Sequence, residues 1–126
     1  MATKILIVDD DAKMLKLYSA ILVKEGYEVL TASDGKEGYD LAVSAKPNLI
    51  LLDVMMPSVD GVQAFEYLSE NPSTKSIPVV FLTSLVKEEE VEAKAGEIGG
   101  REYISKSTPK EKFIARIKDI LRTPSR

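Results

Sequence analysis

The 126-residue chain has no cysteine and no histidine. Without cysteine there are no disulfides, no thiolate catalysis and no zinc–sulfur sites. Without histidine there is no imidazole base and no histidine-bound metal. Any metal held by this chain must therefore be bound by oxygen, which selects Mg²⁺, Mn²⁺ or Ca²⁺. No run approaches the roughly 18 apolar residues of a membrane helix, so membrane insertion is not expected. The opening MATKILIVDD passes straight into a strand pattern, without the basic and apolar regions of a secretory signal, and a cytoplasmic protein is the expectation. The net charge of −3 does not supply the basic face that direct nucleic-acid binding usually needs. With 44% hydrophobic and 29% charged residues the composition is globular, and the length suits one domain with one sizeable core.

Five short apolar runs punctuate the chain: Ile5–Val8, Tyr27–Leu30, Leu49–Leu52, Pro78–Leu82 and Tyr103–Ile104. Most lack polar alternation, as strands covered on both faces do. Helical patterns lie between them. Met14, Leu15, Tyr18, Ile21 and Leu22 share one helix face, and Phe113, Ile114, Ile117, Ile120 and Leu121 repeat that spacing. Ser33-Asp34 starts a second helix and Asp60-Gly61 a third. A fourth, around 87 to 95, is mostly charged and small, so it is expected to pack most weakly and to exchange its amide hydrogens soonest. Strict alternation of strand and helix predicts an α/β fold: a parallel sheet with right-handed crossovers and five helices on its two faces. There is no internal repeat, linker or low-complexity segment.

Such sheets bind ligands at the carboxyl ends of their strands. That edge would bring together Asp9-Asp10-Asp11 after the first strand, Thr31-Ala32-Ser33 after the second, Asp53 after the third, Thr83-Ser84 after the fourth and Ser105-Lys106 after the fifth. Each has a bland explanation as a helix cap or a surface charge. Their coincidence on one rim favours a site instead. Crowded carboxylates repel unless a cation meets them, and Mg²⁺, with Mn²⁺ as its substitute, suits a few carboxylates plus water. A rim carboxylate can attack a phosphoryl group to give an acyl phosphate, with a metal, a lysine and a hydroxyl neutralising the oxygens in transit.

The motifs ILIVDD, LILLDVMMPSVDG, VVFLTS and YISK, in this order, resemble those of the receiver domain of bacterial two-component response regulators, above all the stand-alone, chemotaxis-regulator-like receivers. The resemblance spans Lys4 to about Leu121, so residues 1–126 are expected to form one receiver domain with a short tail from 122. It implies a flavodoxin-like fold with strand order 2-1-3-4-5, which the sequence pattern alone does not supply. It also implies a phosphoacceptor signalling switch with Asp53 as the phosphoacceptor. Asp9, Asp10, Asp53 and the backbone carbonyl of Met55 would hold Mg²⁺. Thr83 and Lys106 would contact the phosphoryl oxygens, and Tyr103 would switch together with Thr83. Asp11 is left as a helix-start charge and Asp60-Gly61 as a structural turn. The implied partners are a histidine kinase or phosphotransfer protein, or a small phosphodonor, and a downstream protein target. The target would be met through the fourth helix, fifth strand and fifth helix, a face that could also serve for homodimer contact. With no histidine in the chain, a phosphodonor histidine must belong to another protein.

The chain departs from the family pattern after Lys106, where Ser107 stands in place of the usual proline and its cis bond. A cis bond before a non-proline residue costs about 2.5–4 kcal/mol, so a trans bond or a strained one is expected, which puts the position of Lys106 in question. Met55 and Leu85 match the two positions that flank the phosphoryl site in this family; both are apolar and cannot orient an attacking water, so the resemblance implies slow self-dephosphorylation. Ser84 is small enough to leave Asp53 accessible. Two other readings compete. One is a receiver-like binding module that works without phosphorylation. The other is a haloacid-dehalogenase-type phosphatase with Asp9 as nucleophile and Asp11 as acid/base, although Lys13 stands where that motif usually has threonine or valine.

Overall fold

The computed structural model describes residues 2–54, 61–84, 87, 97–98 and 101–122. In chain order the elements are β1 (Lys4–Val8), α1 (Ala12–Lys24), β2 (Glu28–Ala32), α2 (Gly35–Ala45), β3 (Leu49–Asp53), α3 (Gly61–Glu70), β4 (Val79–Thr83), β5 (Glu97–Ile98), β6 (Arg101–Ser105) and α4 (Lys110–Arg122). The spatial order is β2-β1-β3-β4-β6-β5. The five parallel strands thus follow the expected 2-1-3-4-5 path, with β6 in the place of the fifth.

Strand alternation divides the core in two. Ile5 and Ile7 of β1, Leu49 and Leu51 of β3, and Val80 and Leu82 of β4 face Tyr18 and Leu22 of α1 and Phe113, Ile117 and Ile120 of α4. Leu6, Val8, Ile50, Leu52 and Phe81 face the other way, against Ala42 of α2 and Ala64 and Leu68 of α3. The two helix stripes expected from spacing are therefore both core faces. All five residues of β3, central in the sheet, are buried, which explains its unbroken apolar run.

Local signals hold the helices where the site needs them. Asp11 caps α1, its Oδ1 accepting from the Lys13 N–H at 2.9 Å. Asp34 caps α2 through the Glu37 N–H at 2.8 Å, while Glu37 accepts from the Ser33 N–H at 2.7 Å. At the far end of α1, Gly26 at φ 95° closes the helix: its N–H reaches the Val23 carbonyl at 3.0 Å and that of Tyr27 reaches the Leu22 carbonyl at 3.1 Å.

Several strand bounds differ from the sequence expectation: β1 also takes in Lys4, β3 also takes in Asp53, and β4 runs Val79–Thr83 rather than Pro78–Leu82. The second strand begins at Glu28 rather than Tyr27 and runs to Ala32, because its pairing with β1 continues from Lys4↔Glu28 to Val8↔Ala32. The last parallel strand spans Arg101–Ser105 and not just Tyr103–Ile104, since backbone pairing extends past its apolar centre. A two-residue antiparallel strand, Glu97–Ile98, adds an outer edge through Glu97↔Glu102 and Ile98↔Arg101. Four helices are found among the described residues; the fourth helix expected around 87 to 95 lies outside them, apart from Lys87.

Candidate functional site

Parallel register brings the strand ends side by side. Val8 pairs with Leu52, Asp53 with Leu82, and Thr83 with Ser105. The backbone carries this alignment one step further, with Val54 N–H donating to the Leu82 carbonyl at 3.1 Å and Lys106 N–H to the Thr83 carbonyl at 2.7 Å. Asp9, Asp53, Thr83 and Lys106 therefore meet on one rim, as expected.

Asp9 is fully buried and Asp53 nearly so at 6% exposure, whereas Asp10 is exposed. Asp9 Oδ1 accepts from the Asp11 N–H at 2.9 Å. Asp9 Oδ2 lies 2.9 Å from Lys106 Nζ, which is also 3.6 Å from Asp53 Oδ2. The first contact is an ion pair without hydrogen-bond alignment, so Asp9 Oδ2 is a buried oxygen with no hydrogen-bond partner among the described residues. Burial works to lower the pKa of Lys106, but Asp9 and Asp53 outweigh it and hold the ammonium above its ordinary value. Charge also reaches Tyr18. Its phenol is pushed up to about 12, first by burial and then by the Asp9 and Asp53 carboxylates.

One carboxylate oxygen each from Asp9, Asp10 and Asp53 falls within 4.8 Å of the others. One ammonium against three carboxylates leaves an excess of negative charge, and one buried oxygen lacks a directional partner. This all-oxygen donor set fits a hard divalent cation such as Mg²⁺.

Thr83 is buried at the end of β4 and Ser84 beside it is exposed. Tyr103 is half-buried, its ring 5.3 Å from that of Phe81, which in turn lies 5.4 Å from Phe65. The pairing Phe81↔Tyr103 and Thr83↔Ser105 puts Tyr103 and Thr83 on the same side of the sheet. Met55 and Leu85 lie outside the described residues.

Gly61 shapes the site more closely than its sequence context suggests. Its N–H donates to the Val54 carbonyl at 3.0 Å. A Cβ there would run into the Asp53 carbonyl oxygen and stand 2.8 Å from Val54 Cα and 2.9 Å from Asp53 C. Helix α3 thus starts against the backbone that carries Asp53, and only glycine permits that approach. After Lys106 the peptide bond to Ser107 is trans, with no cis bond among the described residues, and the lysine still reaches both carboxylates.

The match to the response regulator receiver domain covers residues 5–118, and the chain belongs to this family. It is 35% identical over 119 residues to protein PilH of Pseudomonas aeruginosa, covering 94% of this chain and 97% of that protein. It is 39% identical over 123 residues to the alkaline phosphatase synthesis transcriptional regulatory protein PhoP of Bacillus subtilis, covering 97% of this chain and 50% of that one; the chain thus spans about half the length of such relatives. The structure of the chemotaxis protein CheY4 of Vibrio cholerae superposes with a TM-score of 0.80 at 29% identity, covering 95% of this chain and 99% of CheY4. A response regulator of Desulfuromonas acetoxidans superposes at 0.79 and 31%, covering 95% and 97%. The chain accordingly has the flavodoxin-like fold of the receiver domain. Receiver domains bind Mg²⁺ at an acidic pocket and interact with histidine kinases or phosphotransfer proteins and with downstream targets. No helix among the described residues is long and apolar enough to cross a membrane.

Proposed function

We propose that Asp53 accepts the phosphoryl group in a Mg²⁺-dependent reaction. The observation that carries this reading is the position of Lys106 Nζ, 2.9 Å from Asp9 and 3.6 Å from Asp53, beside three carboxylates that share one small volume. Of the two buried carboxylates, Asp9 is wholly enclosed and already accepts from the Asp11 N–H, while Asp53 keeps some exposure. Asp53 is therefore the better placed to meet a donor.

In the reaction a carboxylate oxygen of Asp53 bonds to phosphorus as the bond from phosphorus to the leaving group breaks. The electron pair departs with the imidazole nitrogen of a kinase or phosphotransfer protein, or with acetate when the donor is acetyl phosphate. Lys106 neutralises one phosphoryl oxygen and the Thr83 hydroxyl donates to another. Asp9, Asp10, Asp53 and the Met55 carbonyl are the residues that would hold Mg²⁺, which supplies charge neutralisation at the transferring group. The switch runs through Thr83 and Tyr103, whose ring already packs on Phe81. Output passes from the cytoplasmic domain to a protein target, or to a second copy, across the face of β6, α4 and the segment around 87 to 95.

The phosphatase reading is not favoured. Its acid/base would be Asp11, whose side chain is engaged as the cap of α1, and its nucleophile would be the fully buried Asp9.

Intact mass after incubation with acetyl phosphate, with Mg²⁺ or EDTA, tests the proposal on the parent, Asp53→Asn and Asp9→Asn. A single Mg²⁺-dependent adduct that vanishes in Asp53→Asn is expected. An adduct that persists in Asp53→Asn would move the nucleophile elsewhere, and no adduct in the parent would favour a binding module that works without phosphorylation.

A further inference from the structure

Lys106 stands on a short turn that two serines close. The Ser105 carbonyl accepts from the Thr108 N–H at 3.0 Å, which makes Lys106 and Ser107 the central residues of a β-turn. The Ser105 side chain folds into the same turn: its Oγ accepts from the Ser107 N–H at 3.2 Å and lies 2.8 Å from Ser107 Oγ. Either hydroxyl can donate to the other. Ser105 is buried, at 1% exposure, whereas Ser107 is exposed. On the other side, the Lys106 N–H is held by the Thr83 carbonyl at 2.7 Å.

The backbone of Lys106 is thus fixed from both sides while its ammonium reaches across to Asp9 and Asp53. A lysine stem is flexible, so the position of its charge depends on where its backbone is anchored. A proline at position 107 would fix φ through its ring and would bring no N–H. Here the restraint comes from hydrogen bonds between the Ser105 hydroxyl and the N–H and hydroxyl of Ser107.

We propose that Ser105 and Ser107 form a clasp that positions the Lys106 ammonium over the carboxylates. Both are positioning residues: neither need touch the phosphoryl group, and both act through Lys106. Their effect on phosphoryl transfer rests on the proposed role of Asp53, but their effect on the lysine does not, and the test reads the two separately.

The first measurement is NMR relaxation of the Lys106 ε-methylene, without phosphodonor, in the parent, Ser105→Ala, Ser107→Ala and Ser107→Thr. The second is the rate of phosphoryl uptake from acetyl phosphate in the same proteins. The lysine is expected to loosen in both alanine variants and to stay ordered in Ser107→Thr. Uptake is expected to slow about fivefold in Ser107→Ala and about tenfold in Ser105→Ala, the scale of one or two ordinary hydrogen bonds. In a Lys106→Ala background, Ser107→Ala should slow uptake no further. Unchanged lysine mobility in the alanine variants overturns the clasp, as does an additional loss in the Lys106→Ala background. Because Ser107 is exposed, Ser107→Ala keeps the test valid even if Ser105→Ala does not fold. A parent that takes up no phosphoryl group would sink the phosphoacceptor assignment, while the relaxation data would still decide the clasp.

Discussion

The ammonium nitrogen of Lys106 lies 2.9 Å from Oδ2 of Asp9, a carboxylate oxygen that is wholly buried. In the absence of metal this lysine is the cation that makes a buried aspartate tolerable. Lys106→Met would leave that charge enclosed and unpaired, and breaking such a pair from one side is far costlier than never having built it. The variant should lose about 2 to 3 kcal/mol of stability without metal. Saturating Mg²⁺ should restore more stability to the variant than it adds to the parent, since a bound divalent cation can meet the same oxygens. Urea unfolding with and without Mg²⁺ reads both effects. The same loss in the two conditions would separate Lys106 from the metal site.

Gly61 packs closely on the backbone of Asp53. Gly61→Ala puts a methyl group against the Asp53 carbonyl and within 2.8 Å of Val54 Cα, and neither is the end of a flexible side chain that can swing away. The start of α3 must shift, at a cost of about 1 to 3 kcal/mol, as overpacked interiors usually show. Because the displaced backbone carries Asp53, phosphoryl uptake should slow in the folded fraction as well. A variant that is less stable yet takes up phosphate at the parent rate would confine Gly61 to packing.

The family resemblance gives a third expectation, at Met55 and Leu85, the positions it sets beside the phosphoryl site. Neither side chain can hydrogen-bond to a water aimed at phosphorus. The double variant Met55→Asn, Leu85→Glu should therefore lose its phosphoryl group faster than the parent, by about tenfold or more if one side chain acts on the water. The decay of the adduct mass after donor removal measures it. Equal or faster decay in the parent would show that these positions do not gate water.

Several of these relationships are legible in the sequence. The apolar runs mark the parallel strands because strands covered on both faces need no polar alternation, and the β–α rhythm places Asp9, Asp53, Thr83 and Lys106 on one rim. Three things were less legible. The edge strand Glu97–Ile98 is too short for a periodicity, although Gly99-Gly100 between it and Arg101 is a hairpin signal. The ends of β2 and β6 follow backbone pairing, which no side-chain pattern records. The clasp of Ser105 with Ser107 is a contact between two ordinary residues, and in the sequence it shows only as the absence of a proline. Tyr18 is a similar case. Its spacing marks it as core, and nothing in that spacing says that the core there ends under two carboxylates.

That position gives Tyr18 a consequence at high pH. Its phenol is pushed from 10.0 to about 12 in the folded protein, chiefly by burial and then by Asp9 and Asp53. The folded state therefore keeps a proton that the unfolded chain releases first. The contribution is fully present below about pH 10 and is lost as the pH rises to about 12, which amounts to roughly 2 to 3 kcal/mol over that interval. Lys106 acts in the same direction, because its raised pKa also marks a proton held more tightly in the folded state. Tyr18→Phe separates the two, removing the tyrosine contribution and leaving that of the lysine. Urea midpoints across this range should fall steeply in the parent and more gently in Tyr18→Phe, while the phenyl ring preserves the contact with Phe113, whose ring lies 4.9 Å away. Parallel slopes in the two proteins would mean that the Tyr18 hydroxyl reaches water freely, and that the charge of the site does not extend into the core beneath it.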